Sequence, residues 1–423
     1  MARQRPVIPD GSVARAVPEP SSVVVVGAGQ AGLSVCHELD RVGVAHVVLE
    51  RSRVAQRWRD RWESFCLVTP NWSVRLPGAH YDGEDPDGFL ARDGVVAHLE
   101  RYAARLRAPL HEGVDVRSIV PEPRAGFRLE TSDGELLARH VVVCTGAYQR
   151  PHPVPIAGAL PEGVALLDTE GYTAPGDLPP GPVLVVGSGQ SGCQIAEELR
   201  EAGREVFLAC GRAPWSSRRI GDQDLIWWAH ETGFLDQPVG ALPAPAARLA
   251  ANIVATGHGG GHDLHLRTLD AMGVHLLGHL EGCDGRRARF ADDLAASVEW
   301  GDQRRADFLG LVRRAVAERG LPEPELHDPE PLDVEPVREV DLTGFGAVVV
   351  TAGFRPDYAR WVAVPGAFDA LGFPVHDECA SLAAPGLWFA GVHFLRKRKS
   401  SLLVGVGEDA AIVAEGIASS RPR

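Results

Sequence analysis

The chain has 423 residues, with 43 lysines and arginines against 56 aspartates and glutamates, which gives a formal net charge of −13. Its 45% hydrophobic and 23% charged residues exclude a disordered chain, a collagen and a disulfide scaffold. The acidic balance argues against nucleic acid as a partner, because phosphates would be repelled over most of the surface. The length predicts two or three domains.

The first twenty residues are expected to form a disordered tail. They contain arginines and prolines but no apolar core of a signal peptide. No apolar run further along approaches the roughly 20 residues that cross a bilayer. The seven cysteines include no Cys-x-x-Cys pair, which indicates free thiols in a reducing compartment. We therefore expect a cytoplasmic protein with no membrane partner; homo-oligomerisation is possible but has no signature in the sequence.

An internal repeat at an offset of 160 residues is the strongest feature of the sequence. Residues 23–32 read VVVVGAGQAG, and residues 183–192 read VLVVGSGQSG. Ten of the 21 positions from 23 to 43 are identical to their partners 160 residues later. Each copy has the pattern of a strand, a glycine turn, a helix and a second strand. Two such units predict two dinucleotide-binding sites, whereas tight packing of glycine turns alone is the competing explanation.

Each glycine of a copy meets a different structural requirement. Gly27 permits the tight turn after the buried strand, and Gly29 lets the backbone approach a pyrophosphate. Gly32 lets the helix pack closely on the strand, and the free N–H groups at the helix start then hold the phosphates. The equivalent residues of the second copy are Gly187, Gly189 and Gly192.

The two copies differ at the end of their second strand, where the residue that contacts the adenosine ribose decides which nucleotide binds. The first copy ends in Glu50, whose carboxylate can hold both hydroxyls of an unmodified ribose, as in FAD or NAD. The second copy has Cys210 there, followed by Arg212, Arg218 and Arg219. Since arginines pair well with phosphate, the second site is predicted to take NADPH. A solvated loop is the other interpretation of these arginines.

These features predict an α/β fold with two Rossmann-like dinucleotide-binding domains, the NADPH domain inserted into the FAD domain. The first part of the FAD domain is expected at 21–165, a proline- and glycine-rich linker at 166–181, and the NADPH domain at 182–338. Residues 339–423 are expected to return to the FAD domain. Within this plan, a long helical stretch is predicted at 225–254 and a flexible loop at 257–262.

The order of these motifs resembles that of the flavin-containing monooxygenases, the single-component family that includes the auxin-forming and Baeyer–Villiger enzymes. The stretch RWRDRW at 57–62, LVTPNW at 67–72 and the closing segment at 398–409 resemble segments of that family. The linker departs from the pattern, because Asp168 stands where the family usually has a histidine.

The resemblance implies an NADPH- and O2-dependent oxygenase with FAD as its cofactor. NADPH would reduce FAD, O2 would add to the flavin as a C4a-(hydro)peroxyflavin, and one oxygen atom would pass to a small organic substrate. Asn71 and Gln190 would be the catalytic residues. The alternatives for them are a turn residue at Asn71 and a helix-capping residue at Gln190.

The resemblance also implies a set of residues that contact the two cofactors. Beside the glycines and arginines above, these residues are Gln30, Glu50, Arg51, Trp58, Thr69, Gly146, Ser191, Glu408 and Asp409. For Glu408 and Asp409, compensation of the helix dipole is the alternative, and the basic run at 396–399 is expected to be a solvated patch or a phosphate contact. A disulfide reductase, an NADPH oxidase and a non-enzymatic nucleotide sensor remain as rival functions.

Overall fold

The computed structural model describes residues 21–123, 126–156, 160–250 and 252–420; the predicted tail at 1–20 lies outside them. The chain begins with the first part of one lobe. Its elements are β1 (Ser21–Val26), α1 (Gln30–Arg41), β2 (Val47–Glu50), α2 (Gln56–Arg59), β3 (Arg75–Leu76), β4 (Ala79–His80), α3 (Arg92–Ala103), β5 (Leu110–Glu112), β6 (Val116–Glu122), β7 (Gly126–Thr131) and β8 (Gly134–Val143).

A second lobe follows and occupies the middle of the chain. Its strands and helices are β9 (Arg150–Pro151), β10 (Ala165–Asp168), β11 (Val183–Val186), α4 (Gln190–Glu201), β12 (Val206–Ala209), β13 (Arg219–Ile220), β14 (Gln223–Asp224), α5 (Leu225–Glu231), α6 (Leu266–Ala271), β15 (His275–Leu277), β16 (Leu280–Cys283), β17 (Arg287–Phe290), α7 (Leu294–Arg319), β18 (Glu339–Asp341) and β19 (Ala347–Val350). The chain then returns to the first lobe with β20 (Phe354–Arg355), β21 (His376–Asp377), β22 (Ala380–Ser381), β23 (Leu387–Phe389) and α8 (Val406–Ser419).

The first lobe is built on one large sheet with the order β21-β22-β23-β8-β1-β2-β5, and β7 and β6 continue from β8. β1 lies parallel to both β2 and β8, so that Val24 is paired with Val47 and with Val141. β23, from the end of the chain, lies parallel to β8 on its other side. The chain therefore leaves this sheet and re-enters it, which confirms the predicted insertion of the second lobe into the first.

The second lobe has a parallel sheet with the order β10-β19-β11-β12-β15. β11, the strand before the second glycine turn, lies between β19 and β12, with Leu184 paired with Val348 and Phe207. Its valines and leucines are fully buried, because apolar clusters cover both faces of the sheet. The same arrangement surrounds β1 in the first lobe.

Two predicted domain boundaries are wrong. β10 lies in the segment assigned to the end of the first domain and to the linker, yet it pairs with β19 in the second sheet. β18 and β19 lie in the segment assigned to the first domain, yet β18 pairs with β17 and β19 pairs with β11 in the second lobe. The return to the first lobe therefore falls after Val350, because hydrogen bonding to β11 keeps the last strand in the second sheet.

The predicted helical stretch at 225–254 is also wrong. α5 ends at Glu231, and only single 3-10 turns follow, at Phe234–Asp236, Val239–Ala241 and Pro245–Leu249. Gly233, with a φ of 71°, ends the helix, and three prolines after it prevent an α-helix from re-forming. The longest described helix is instead α7, with 26 residues, which we did not predict.

The predicted flexible loop at 257–262 is fixed to α4 by two side-chain pairs. His262 Nε2 lies 2.6 Å from Glu197 Oε1, and His258 Nε2 lies 3.2 Å from Glu201 Oε2. Elsewhere, no helix in the described part of the chain is long and apolar enough to cross a membrane.

Candidate active site

The first glycine turn joins β1 to α1 at the carboxyl edge of the first sheet. Gly27 has a φ of 104°, and a Cβ at this position would lie 3.0 Å from the carbonyl oxygen of Cys144. A Cβ on Gly32 would lie 1.8 Å from the carbonyl oxygen of Gly27. A Cβ on Gly29, by contrast, would meet no protein atom within 4 Å. Two of the glycines are therefore required by packing, and the third leaves open space where a ligand can approach.

The start of α1 offers its N–H groups to that open space. Gly29 is the N-cap residue and contributes no capping side chain, so the first-turn amides have no intrahelical acceptor and no side-chain acceptor from the cap. Such a helix start is suited to a phosphate. The second turn repeats this arrangement, because Gly189 caps α4 without a side chain.

Glu50 lies at the end of β2 beside the first turn, as predicted. Its carboxylate accepts hydrogen bonds from the N–H of Ala28 at 2.7 Å and from the N–H of Ser52 at 2.9 Å. These two bonds hold the carboxylate at the carboxyl edge of the sheet, where a ribose would lie in a Rossmann unit. Arg51 follows it and is exposed.

The second turn has the same steric requirements as the first. Gly187 has a φ of 111°, and its Cβ would lie 2.8 Å from the carbonyl oxygen of Thr351. A Cβ on Gly192 would lie 1.7 Å from the carbonyl oxygen of Gly187. Ser191, the second residue of α4, is half-buried. The residues of both turns therefore fit a dinucleotide pyrophosphate.

The three arginines predicted near the second site have different surroundings. Arg212 follows the end of β12 and is exposed, and no described residue forms a hydrogen bond or ion pair with its side chain. Arg219 lies in the β13–β14 hairpin, where its guanidinium donates to the carbonyl of Asp222. Of the three, Arg212 is the one whose exposed side chain has no hydrogen-bond or ion-pair partner among the described residues.

The prediction for Arg218 is wrong, because its side chain is buried and turned toward the first lobe. Its guanidinium forms a salt bridge to Asp224 at 2.8 Å and donates to the carbonyls of Val68 at 2.7 Å and Thr256 at 3.3 Å. It also lies 4.5 Å from the ring centroid of Phe89. Arg218 therefore connects the two lobes and does not face a nucleotide.

Trp58 and Gln30 meet at the first glycine turn. The indole Nε1 of Trp58 donates to Oε1 of Gln30 at 3.0 Å, and the Gln30 amide donates to the carbonyl of Ser401 at 3.2 Å. Thr69 is half-buried on a loop of the first lobe. The residue before it, Val68, accepts a hydrogen bond from the Arg218 guanidinium through its carbonyl. Gly146, with a φ of 67°, follows β8, and its carbonyl accepts from the Tyr358 hydroxyl at 2.7 Å.

Neither residue predicted to be catalytic presents a free amide. Asn71 is buried, and its amide donates to the carbonyl of Asp85 at 2.9 Å and accepts from the N–H of Leu90 at 2.7 Å. The Gln190 amide donates to the carbonyl of Ala255 and accepts from the Ala255 N–H at 3.1 Å. Both predictions need correction: Asn71 fixes a loop of the first lobe, and Gln190 fixes the segment near Ala255.

The acids at the start of α8 bind the basic run instead of a cofactor. Glu408 forms ion pairs with Lys399 at 2.6 Å and with Lys397 at 3.0 Å, and Asp409 accepts from Arg396 at 3.1 Å. The predictions of cofactor contact for Glu408 and Asp409 are therefore wrong. The prediction that the basic run at 396–399 is a solvated patch or a phosphate contact is also wrong, because Lys399 is buried among these partners.

A covering segment at 232–250, which we did not predict, extends from the second lobe over the first. Within it, the N–H of Val239 donates to the carbonyl of Arg396 at 2.9 Å, and Asp236 pairs with Lys397 at 2.8 Å. Further along, Arg248 lies 3.6 Å from Asp369 of the first lobe. The prolines at 238–245 were the sequence signal that could have indicated this segment. They exclude a long helix, which would have kept the segment within the second lobe.

The described thiols form no disulfide. Cys36 and Cys144 are fully buried near the first glycine turn, and burial raises the pKa of each thiol. Burial also raises the pKa of Cys193 to about 12. Such thiols are poor nucleophiles at neutral pH.

Comparisons with known proteins agree with this architecture. Residues 24–226 match the family model described as pyridine nucleotide-disulphide oxidoreductase. The chain is 28% identical over 398 residues to a CzcO-like oxidoreductase of Geobacillus kaustophilus (strain HTA426), covering 93% of this chain and 97% of that protein. It is 32% identical over 189 residues to indole-3-pyruvate monooxygenase YUCCA1 of Oryza sativa subsp. japonica, covering 44% of this chain and 46% of that one.

Among solved structures, the flavin-containing monooxygenase from Stenotrophomonas maltophilia has the same fold, with a TM-score of 0.65 and 20% identity over 94% of this chain and 98% of that one. The fold and the two glycine turns define a two-domain flavoprotein oxidoreductase that uses FAD and NADPH. Within that class, the chain is similar both to CzcO-type oxidoreductases and to flavin-containing monooxygenases.

Proposed function

We propose that this protein uses NADPH and O2 to insert one oxygen atom into a small organic substrate and releases the other oxygen atom as water. In the balanced reaction, NADPH, a proton, O2 and the substrate give NADP⁺, water and the oxygenated substrate. The bound flavin would accept the hydride and activate O2, which no side chain of the protein can do. The named activity of the YUCCA1 relative, an indole-3-pyruvate monooxygenase, supports this reaction class.

The observation that carries the proposal is a short chain of contacts from one glycine turn to the other. Gln30 of the first turn binds Trp58, whose ring lies 5.9 Å from that of Phe65. Phe65 is followed by Cys66 and Leu67, and a Cβ on Gly257 would lie only 2.1 Å from the carbonyl oxygen of Leu67.

The chain of contacts is completed from the side of the second lobe. Ala255 lies two residues before Gly257 and is bound through both its N–H and its carbonyl by the Gln190 side chain of the second turn. Two nucleotides seated on these turns would therefore share one cleft between the lobes. Hydride transfer requires that arrangement, because the two rings must meet.

The protein's own residues would bind and orient the two nucleotides. The amides at the start of α1 would hold the FAD pyrophosphate, and Glu50 would hold its adenosine ribose. The amides at the start of α4 would hold the NADPH pyrophosphate, and the unpaired guanidinium of Arg212 would pair with its 2′-phosphate. Asn71, Gln190 and Arg218 would fix the loops that border the cleft.

Exclusion of water would be the task of the covering segment. An oxygenating flavin loses its oxygen as hydrogen peroxide when water reaches it. Residues 232–250 lie against the first lobe through Arg396, Lys397 and Asp369. This segment is therefore the part of the second lobe that is best placed to close the cleft.

A disulfide reductase is the main alternative, because the matched family model carries that description. Such an enzyme passes electrons from the flavin through a reactive cysteine thiolate. The buried thiols of Cys36, Cys144 and Cys193 have raised pKa values instead of lowered ones. Cys66 is half-buried, and desolvation raises its pKa as well. None of these four thiols is activated, which favours an oxygenase over a disulfide reductase that would act through one of them.

Rapid mixing separates the remaining candidates. FAD-loaded protein is first reduced anaerobically with NADPH and then mixed with oxygenated buffer while the flavin spectrum is followed. An oxygenase gives a transient spectrum distinct from both oxidised and reduced flavin, and an NADPH oxidase returns directly to oxidised flavin with peroxide. Failure of NADPH to bleach the flavin would contradict the proposal and favour a nucleotide sensor.

A further inference from the structure

A cavity between the lobes lies along the side of α4, away from its phosphate-binding start. We call it the α4 cavity and define it by Gln194, Glu197, Glu198 and Glu201 of α4, together with Trp62 and Phe65 of the first lobe. Its volume is about 290 Å³ when its open mouth is included. Phe65 also belongs to the chain of contacts between the two glycine turns, whereas the other five residues have no role in the proposed oxygenation.

The α4 cavity carries three carboxylates with no cationic lysine or arginine partner in the described chain. Positions 194, 197, 198 and 201 share one face of the helix. Glu197 is bound by His262 at 2.6 Å and Glu201 by His258 at 3.2 Å, while Glu198 accepts from the hydroxyl of Tyr172 at 2.9 Å.

No lysine or arginine in the described part of the chain compensates the negative charge of the α4 cavity. Glu197 and Glu201 are paired with histidines, and the Tyr172 hydroxyl bound to Glu198 carries no charge. Desolvation raises the pKa values of both Glu197 and Glu198, which is the expected effect of burying carboxylates without a cation. A bound cation would relieve this cost.

Gln194 gives an independent indication of a ligand. Its side chain is 7% exposed and lines the α4 cavity, and its Oε1 is buried without a hydrogen-bond donor in the described part of the protein. A buried acceptor with no donor costs about 1–3 kcal/mol. A ligand with N–H groups would remove that cost, whereas an anion or a hydrocarbon would not.

The aromatic wall narrows the class of ligand. Trp62 and Phe65 meet edge to face with ring centroids 5.2 Å apart, and aromatic faces attract ammonium groups. A metal ion is a poor candidate, because no group of three or more metal-ligating side chains in the described chain has suitable geometry. Carboxylates, an amide oxygen and aromatic rings together are suited to an organic ammonium ion.

We propose that the α4 cavity is a binding site for a small organic cation with a primary or methylated ammonium head. The carboxylates would neutralise its charge, the Gln194 carbonyl would accept one N–H where the head has one, and the aromatic rings would cover its alkyl part. The bound cation would touch both lobes. This proposal does not depend on the oxygenation reaction, because it concerns binding alone.

Isothermal titration of the FAD-loaded protein with butylammonium chloride tests the proposal. Butyrate and butanol serve as matched anionic and neutral probes, with ionic strength held constant by sodium chloride. We expect saturable binding of butylammonium at least tenfold tighter than that of either matched probe. Binding of butylammonium no tighter than that of butanol would overturn the proposal.

Isosteric variants then locate the site. E201Q is expected to weaken butylammonium binding at least threefold, and E198Q/E201Q at least tenfold. E205Q is the control, because Glu205 forms a similar pair with His275 at 3.4 Å on the exposed end of the second sheet, and it should bind like the wild type. Wild-type affinity in E198Q/E201Q would overturn the proposal.

Folding of the variants is checked by flavin absorbance and the thermal midpoint. Glu201 is 45% exposed at its side chain, so that E201Q by itself is expected to fold even if the double variant does not. In that event E201Q decides the outcome: a threefold loss supports the site, and unchanged affinity contradicts it.

Discussion

The indole N–H of Trp58 is hydrogen bonded at 3.0 Å to the side-chain oxygen of Gln30, the first residue of α1. The same Gln30 amide donates to the carbonyl of Ser401, near the start of α8. Three distant segments of the chain therefore meet beside the first glycine turn. Because Gln30 follows Gly29 directly, a nucleotide on that turn would lie next to this junction.

Loss of the Gln30 junction should weaken FAD binding while the fold survives. In Q30L the Trp58 indole and the Ser401 carbonyl each lose a hydrogen-bond partner. Both groups would then be held less firmly beside the first glycine turn. We expect the Kd for FAD to rise about tenfold, equivalent to about 1.4 kcal/mol, as measured by titration of the apoprotein. Q56L is the control, since the Gln56 side chain donates to the nearby Asp60; equal losses in both variants would contradict this role for Gln30.

The carboxylate of Glu50 should be required for the same cofactor. E50Q keeps the shape of the side chain but replaces one acceptor oxygen with an NH₂ group, which cannot accept from both Ala28 and Ser52. We expect the FAD affinity to fall about tenfold. E130Q, a change of the same type at an exposed position on β7, should bind FAD normally. An E50Q protein with wild-type affinity would show that Glu50 does not contact the ribose.

Two glycines of the first turn should respond differently to alanine. G32A places a Cβ 1.8 Å from a backbone oxygen, so we expect a loss of several kcal/mol in the free energy of unfolding. G29A meets no protein atom, so the apoprotein should unfold at nearly the wild-type midpoint but fail to bind FAD. Thermal unfolding of both apoproteins and FAD titration measure the two effects. Normal FAD binding by G29A would refute a pyrophosphate at this turn.

Arg212 should determine the preference for NADPH over NADH. R212Q removes the exposed guanidinium after β12, and we expect KM for NADPH to rise at least tenfold with little change for NADH. R219Q is the matched control, because the Arg219 guanidinium lies in the hairpin. R218Q should instead lower stability, since the half-buried carboxylate of Asp224 would lose its buried cationic partner. A change of cofactor preference in R218Q but not in R212Q would reverse this assignment.

His265 should make the protein less stable in acid. Its Nδ1 accepts from the N–H of Thr268 at the start of α6, and its ring lies 4.2 Å from that of Trp215. Burial lowers the pKa of His265 to about 4, whereas an unfolded histidine has a pKa of about 6.5. Between these values the unfolded state binds more protons, so stability is complete above about pH 6.5 and falls as the pH drops toward 4.

Urea unfolding at pH 7.5, 6 and 5 measures this effect. One proton contributes a slope of about 1.4 kcal/mol per pH unit. H265N keeps an acceptor for the helix cap but cannot titrate. We therefore expect the free energy of unfolding of H265N to fall with decreasing pH less steeply than that of the wild type, by about 1.4 kcal/mol per pH unit. Identical slopes for H265N and the wild type would show that another group controls the acid response.

The glycine turns were predictable from the sequence because their constraints are local. Gly27 needs a positive φ, and Gly32 allows no Cβ against the carbonyl of Gly27. The spacing of these residues by itself fixes such contacts within one strand–turn–helix unit. The position of Glu50 followed in the same way, because it ends the strand that lies next to β1.

The roles of Arg218 and Gln190 were not predictable, because their partners lie far away along the chain. Arg218 follows the second unit closely in sequence, but it binds Val68, 150 residues earlier. Gln190 lies within the glycine turn, yet its amide is taken by Ala255, 65 residues later. A polar side chain can have many possible partners in a sequence, and only the packing of the two lobes selects one of them.

The sequence by itself determined that this protein has two dinucleotide-binding units, where each turn lies and which strands are buried, because short-range sterics and apolar patterning impose these features. The tertiary structure decided that β19 belongs to the second sheet, that Glu408 binds Lys399, and that the segment at 232–250 covers the first lobe. The physical reason is that hydrogen bonds and ion pairs between distant residues depend on how the lobes meet, which no local pattern encodes.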